Sequence, residues 1–323
     1  MRWLADSIIH TYVHVSCIRE RGVTPQGKTG FPSQKNTLPL REPDGHPGGK
    51  KPPHSLTIGP PCPRHMPTMP LLPDRTPLPN RPVALVTGST SGIGAAIARR
   101  LAGDGFALVL HSRSSAQAGE ALARELGTAV YIQADLAQDA ERVRLVREAT
   151  AAWGRLDVLV NNAGISQVIA HADLAAATPE IWQAMHEVNV IAPFRLVALA
   201  EPALRAAAHG GRPACVVNIS SHAGVRPKGA SIPYAASKAA LNHMTRLLAL
   251  SLAPAIRVNA VAPGLVDTPL TQSWVQAQQL WRERSPMGRA AQPEDIAQAV
   301  ALLVASDYLT GEILLSDGGL NLT

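Results

Sequence analysis

Tyr234 and Lys238 stand four residues apart in the segment Tyr-Ala-Ala-Ser-Lys. On a helix that spacing puts both side chains on one face. An ammonium beside a phenol favours the phenolate, so Lys238 is expected to draw Tyr234 down from the ordinary tyrosine value of about 10. A phenol tuned in this way exchanges a proton with a substrate oxygen near neutral pH. Ser221, at the end of an apolar run, can donate a hydrogen bond to the same oxygen as charge develops on it. Taken singly, the pair is an ordinary surface contact and the serine a strand-end residue.

A second cluster lies upstream, in Thr87-Gly88-Ser89-Thr90-Ser91-Gly92-Ile93-Gly94. It follows a short aliphatic run, Val83–Thr87, and opens an amphipathic stretch, Ala95–Ala102. Glycines in a strand-to-helix turn let the backbone come close to a pyrophosphate, and the helix start offers it free N–H groups. In this context Gly88, Ser91, Gly92, Ile93 and Gly94 predict a dinucleotide site. The next aliphatic run ends in His111-Ser112-Arg113. A ribose 2′-hydroxyl calls for an acidic residue about 20 positions past the turn, and Ser112 and Arg113 stand there instead. Arg113 can make a forked, charge-assisted pair with a 2′-phosphate, which favours NADP(H) over NAD(H). The alternative is a solvated surface arginine.

These groups need a frame to hold them. Further aliphatic runs at Phe106–His111, Ala129–Gln133, Leu156–Val160, Cys215–Ile219, Arg257–Val261 and Glu312–Leu315 read as strands. Helical patterns at Ala116–Leu126, Ala140–Trp153, Pro179–Ala208, Tyr234–Leu252 and Glu294–Ala305 separate most of them. Strand and helix in alternation predict an α/β fold, a single doubly wound parallel sheet of about seven strands with helices on both faces.

The composition agrees. Of 323 residues, 46% are apolar, 17% charged and 4% aromatic, a balance that suits a soluble domain with an aliphatic core. The net charge of +6 is uneven: residues 1–82 hold 11 Lys+Arg against 5 Asp+Glu, and the remainder holds 19 of each. The balanced part suggests neither a nucleic-acid nor a membrane binder. Sixteen of the 27 prolines also fall in residues 1–82. The expected organisation is therefore a disordered Pro-rich basic extension over 1–81 and a folded domain over 82–323. The extension is either a basic or targeting arm or a segment of no folded role, and Met66 and Met69 sit just before the domain. The apolar start is broken by Asp6, His10 and His14, against a signal peptide, and no run is long enough for a membrane span. Three cysteines without CxxC spacing suit a reducing compartment, so a cytoplasmic location is expected.

Taken together, TGxxxGIG at 87–94, NNAG at 161–164, YxxxK at 234–238 and PG at 263–264 resemble the short-chain dehydrogenase/reductase family. Thr310-Gly311 and Asp317-Gly318-Gly319 extend the resemblance over roughly residues 82–323. Within that family the chain looks most like the 3-oxoacyl-carrier-protein reductase and sugar- or polyol-dehydrogenase branch. The resemblance implies a Rossmann-type fold and a catalytic set of Asn189, Ser221, Tyr234 and Lys238. Asn189 would anchor a proton-relay water. It further implies that Asn162, Ala163 and Gly164 line the cofactor cleft. Asp135 and Leu136 would meet the adenine, and Pro263, Gly264, Val266 and Thr268 the nicotinamide end. A homodimer or homotetramer, packed through the helices of 179–208 and 234–252, is implied by resemblance only.

The expected activity interconverts a carbonyl and a secondary alcohol of a small-molecule substrate by hydride transfer, with Tyr234 as general acid/base. The alternative is a nucleotide-binding regulatory or scaffold protein with little turnover, which would need the glycine turn but not the phenol. Substrate contacts are expected from Ser166-Gln167-Val168, from 222–233, and from 270–287 with Trp274 and Trp281. Lys228 and Arg226 either attract an acidic substrate or are solvated loop charges. His111, His171, His186, His209, His222 and His243 show no metal-ligand spacing, so no metal is expected. Cys215 reads as an inert core thiol.

Overall fold

A computed structural model describes residues 81–208 and 212–323. The expectation of a disordered extension over 1–81 lies outside these residues, apart from Arg81.

The aliphatic runs become strands because they can be covered on both faces. β1 (Val83–Val86), β2 (Ala107–Ser112), β4 (Val158–Asn161), β5 (Ala214–Ile219) and β6 (Ile256–Pro263) are buried along their whole length. β3 (Ala129–Gln133) and β7 (Ile313–Ser316), at the two edges, are only partly buried. All seven pair in parallel, in the order β3-β2-β1-β4-β5-β6-β7. Side chains alternate between two cores. Val83 and Leu85 face helices α3 (Asp139–Trp153), α5 (Ala192–Ala207) and α6 (Ile232–Leu252). Ala84 and Val86 face α1 (Gly92–Gly103), α2 (Ala116–Leu126) and α8 (Pro293–Ala305). This is a doubly wound Rossmann-type α/β sheet. The chain reverses direction across the sheet between β1 and β4, where such folds open a crevice beyond the strand ends.

Three element boundaries differ from the sequence reading in ways that matter for chemistry. The helix expected over Ala95–Ala102 begins at Gly92, so Gly92, Ile93 and Gly94 form its first turn. The helical region expected over Pro179–Ala208 is divided. α4 (Pro179–His186) leads into a π-helical turn, Glu187–Ile191, before α5 resumes. A π turn inserts an extra residue and swings the local side chains round the axis, and such turns gather at functional sites. Finally, α7 (Val275–Arg284) forms inside the segment expected only to contribute substrate contacts. No residue of α7 is buried, so its sequence carries no core-facing apolar stripe to announce it.

Candidate active site

The glycine turn is held from two sides. Thr87 follows β1, and its Oγ1 accepts the backbone N–H of Asn162 and of Ala163, each at 3.0 Å. The Asn162 side-chain amide donates to Thr87 O at 2.9 Å and to Gly88 O at 3.0 Å. The end of β4 is thereby latched to the end of β1. Gly88 adopts φ +64°, and a Cβ on Gly94 would overlap the Gly88 carbonyl and lie 2.5 Å from Asn162 Nδ2. Only glycine fits there. Ser91 precedes α1 in an extended conformation without a side-chain capping bond, which leaves the first amides of α1 uncapped by it. Thr268 closes on the turn from the loop after β6, since a Cβ on Gly92 would lie 3.1 Å from its Cγ2. Val266 continues that loop and bridges to Ala291.

The catalytic candidates come from β5, α6 and the π turn. Ser231 caps α6, its Oγ accepting the Tyr234 N–H at 3.4 Å, so Tyr234 stands at the third helical position and Lys238 one turn later. Buried amides fix the helix against the sheet: Asn161 Nδ2 donates to Asn218 Oδ1, and Asn218 Nδ2 to Thr245 Oγ1, both at 2.9 Å. Ser221 follows β5, its Oγ accepting the Ala223 N–H at 3.1 Å, and lines the same cleft as Tyr234. Lys238 Nζ donates to Ile219 O at 2.9 Å and lies 5.8 Å from the centre of the Tyr234 ring. The π turn brings Asn189 beneath them. Its Oδ1 accepts the Ile165 N–H at 2.9 Å, and its Nδ2 donates to Ile165 O at 3.0 Å and to Ser237 Oγ at 3.1 Å. A Cβ on Gly164 would lie 3.1 Å from Asn189 Oδ1 and 3.5 Å from Lys238 Nζ, so these three positions converge.

The electrostatics run opposite to one expectation. Burial raises the Tyr234 phenol above its ordinary value, and the Ser221 hydrogen bond offsets this only in part. Burial also lowers the Lys238 ammonium to about 8. Lys238 therefore does not govern the tyrosine here; desolvation of both groups outweighs their mutual field. The phenol is protonated at neutral pH, the form a proton donor needs.

A cleft of about 1040 Å³ runs through this region. Its lining includes Ile93, Asn162 and Gly164, the catalytic candidates Ser221, Tyr234 and Lys238, and Pro263, Gly264, Val266 and Thr268. The substrate-loop candidates Ser166 and Val168 line it too, as do Trp274 and Trp281. Trp281, on α7, comes down onto the floor: a Cβ on Gly264 would lie 2.8 Å from its ring. Its ring also meets that of His222 edge-on, with centroids 6.1 Å apart. Of the two loop cations, Lys228 lines the cleft, and Arg226 is turned to Asn321.

Other predicted contacts lie apart from the cleft. Arg113 and Asp135 line a separate hollow of about 490 Å³ beyond β2 and β3. Arg113 is exposed, whereas Ser112 is buried with its hydroxyl 2.7 Å from the Tyr131 hydroxyl and accepting the Ser115 N–H at 3.1 Å. Leu136 is buried, and its carbonyl accepts from Arg142 Nε. Cys215 is buried and its thiol is pushed up to about 11. Sequence reasoning passed over Arg142, which joins the Leu136 carbonyl to Glu187 of the π turn. It also passed over the contacts of His111. Neither residue belongs to a recognisable spacing.

Residues 88–321 match the family model described as enoyl-(acyl carrier protein) reductase. The chain belongs to the short-chain dehydrogenase/reductase family. A proposed ketoacyl reductase of the granaticin polyketide synthase of Streptomyces violaceoruber is 48% identical over 250 residues, 76% of this chain and 99% of the relative. Among solved structures, a 3-ketoacyl-(acyl-carrier-protein) reductase from Brucella melitensis complexed with NADH is 34% identical with a TM-score of 0.68. It covers 74% of this chain, which spans 97% of it. A blue fluorescent protein from a metagenomic library in complex with NADPH is 36% identical with a TM-score of 0.67, over 74% and 97% of the two chains. The chain is thus an oxidoreductase of the type that exchanges carbonyl and alcohol with a nicotinamide dinucleotide. Among the described residues no helix is long and apolar enough to cross a membrane.

Proposed function

We propose that this short-chain dehydrogenase/reductase is an NADP(H)-preferring ketoreductase, with Tyr234 as its general acid in reduction and general base in the reverse direction. The observation that carries the reading is the placement of Ser221, Tyr234 and Lys238 in one cleft with Gly264 and with Ile93 of the glycine turn. The fit to a dinucleotide rests on the turn: glycine at 88 and 94, where a side chain is excluded, beside helix amides that Ser91 does not cap. Bound NADP(H) supplies or accepts the hydride at the nicotinamide. Tyr234 donates its phenolic proton to the substrate oxygen, and Ser221 donates a hydrogen bond to that oxygen while it carries charge. Lys238, buried and cationic below pH 8, holds positive charge beside the phenolate that results. Asn189 keeps the 164–165 loop against α6, through Ile165 on one side and Ser237 on the other.

Substrate class follows from the same cleft. Burial keeps the Tyr234 phenol protonated at neutral pH, the form that reduction of a carbonyl requires. The cleft is lined by Val168, Ile169, Trp274, Leu280 and Trp281, which suits a carbonyl compound with a large apolar body. The granaticin relative is consistent with a ketoacyl chain or a cyclised derivative as substrate. Arg113, exposed at the end of β2, supports the preference for a 2′-phosphate. The exposed Phe194 on α5 and Leu247 and Leu250 on α6 support a homodimer or homotetramer through these helices. The free thiol of Cys215 suits a reducing, cytoplasmic setting.

The test is consumption of NADPH and NADH with a panel of β-ketoacyl thioesters, cyclic ketones, sugars and simple ketones. Turnover that favours bulky ketones and NADPH supports the reading. A protein that binds the dinucleotide but reduces none of them returns the choice to the regulatory or scaffold alternative.

A further inference from the structure

His111 is the fifth residue of β2 and is buried at 2% exposure. Its ring has two partners. The Gly88 N–H points to Nδ1 at 3.2 Å, and Nε2 lies 3.0 Å from the Ala134 carbonyl oxygen. A backbone N–H can only donate and a carbonyl can only accept, so the two contacts together require a bare Nδ1 and a proton on Nε2. Its backbone adds two bonds to the same turn: the Ser89 N–H donates to His111 O, and the His111 N–H to Ser89 Oγ, each at 2.9 Å. One residue thus holds Gly88 and Ser89, at the start of the glycine turn, and Ala134, which immediately precedes Asp135 and Leu136.

We propose that His111 is a positioning residue for the dinucleotide, a neutral strut that sets the distance between the glycine turn and the loop after β3. The inference rests on the reading of that turn as the cofactor site. Gly88 sits at φ +64°, where a glycine backbone has other conformations open to it. Without an acceptor at Nδ1, its buried N–H loses its partner and the turn loses its anchor. The cofactor must then order the turn as it binds, which weakens binding and leaves proton and hydride transfer in the assembled complex alone. Burial keeps the ring neutral against the pull of the Ala134 carbonyl and the Asp135 carboxylate, and the Arg144 guanidinium of α3 acts in the same direction as burial.

The experiment titrates the full chain with NADPH and NADH, following nucleotide fluorescence, and measures kcat at saturating cofactor. His111→Leu should weaken both nucleotides by about tenfold or more, with kcat within about threefold of the original. His111→Asn, whose Oδ1 can take the place of Nδ1 as acceptor for Gly88, should recover most of that loss. A folded Leu variant that binds both nucleotides as the unaltered chain does, or an Asn variant no better than Leu, overturns the proposal. Failure of the unaltered chain to bind either nucleotide overturns instead the cofactor reading on which it rests. Should the variants not fold, histidine ¹⁵N spectra of the unaltered chain decide. A bare Nδ1 at neutral pH whose signal moves on adding NADPH is expected, and a protonated Nδ1 or an indifferent signal refutes the strut.

Discussion

The Lys238 ammonium donates to the Ile219 carbonyl at 2.9 Å, inside the protein and below the Tyr234 ring. Burial lowers this ammonium to about 8, so it loses its proton in a range accessible to assay. The reduction rate should fall as pH rises through about 8, and Lys238→Met should lack that limb and start from a lower plateau. A profile of kcat/KM from pH 6 to pH 10 checks this. The folded lysine releases its proton below the unfolded value of about 10.4, so its effect on stability has the opposite sense, rising with pH across that window.

Replacing Tyr234 by Phe removes the proton donor and keeps the ring. Turnover should drop by about two to four orders of magnitude, the usual worth of a positioned acid. NADPH binding should persist within a few-fold, because the glycine turn and the Asn162 latch are untouched. Steady-state rates and a nucleotide titration on one preparation separate the two. Undiminished turnover would remove Tyr234 from the mechanism.

Gly94→Ala should abolish dinucleotide binding without unfolding the chain. The new methyl would meet the Gly88 carbonyl and the Asn162 amide, and neither can withdraw without breaking the latch between β1 and β4. Nucleotide titration beside a thermal melt reads the outcome. Tight NADPH binding in a well-folded variant would show that the turn does not hold the pyrophosphate.

Arg113→Ala should weaken NADPH by about tenfold and leave NADH almost unchanged, since a charge-assisted pair to a 2′-phosphate is lost only with the first. Equal losses for the two nucleotides would end the assignment of Arg113 to the phosphate.

Acid should destabilise the fold through His111. Burial pushes its imidazole down to about 4, against an ordinary value of about 6.5. The unfolded chain takes up this proton first as pH falls, so the stabilisation is complete above about 6.5 and lost progressively toward about 4. Its full size is roughly 3 kcal/mol. His222, also lowered by burial and partly restored by Asp317, adds in the same direction. Urea melts at pH 7 and pH 5 should show a smaller difference in His111→Asn than in the unaltered chain. An equal difference would mean that His111 does not stay neutral.

Much of the site is legible in the chain because its determinants are local. The glycine turn is read from a strand, three glycines and a helix that are contiguous in sequence, and α-helical geometry makes Tyr234 and Lys238 neighbours wherever their helix packs. The alternating aliphatic and amphipathic runs likewise announce a parallel sheet, since strands buried on both faces have little polar pattern to show. What the tertiary structure decided depends on partners distant in sequence. The π turn that delivers Asn189 is matched to Ile165, Ser237 and Arg142, all outside its own segment. α7 has no apolar stripe and is defined by Trp281 settling on Gly264. The sequence points to a lowered Tyr234 where the structure raises it, because i,i+4 spacing reports proximity and says nothing of burial. His111 looked ordinary for the same reason: a ring that bridges residues 88 and 134 acquires its role only when β1, β2 and β3 lie side by side, since hydrogen bonding and desolvation are properties of the assembled environment.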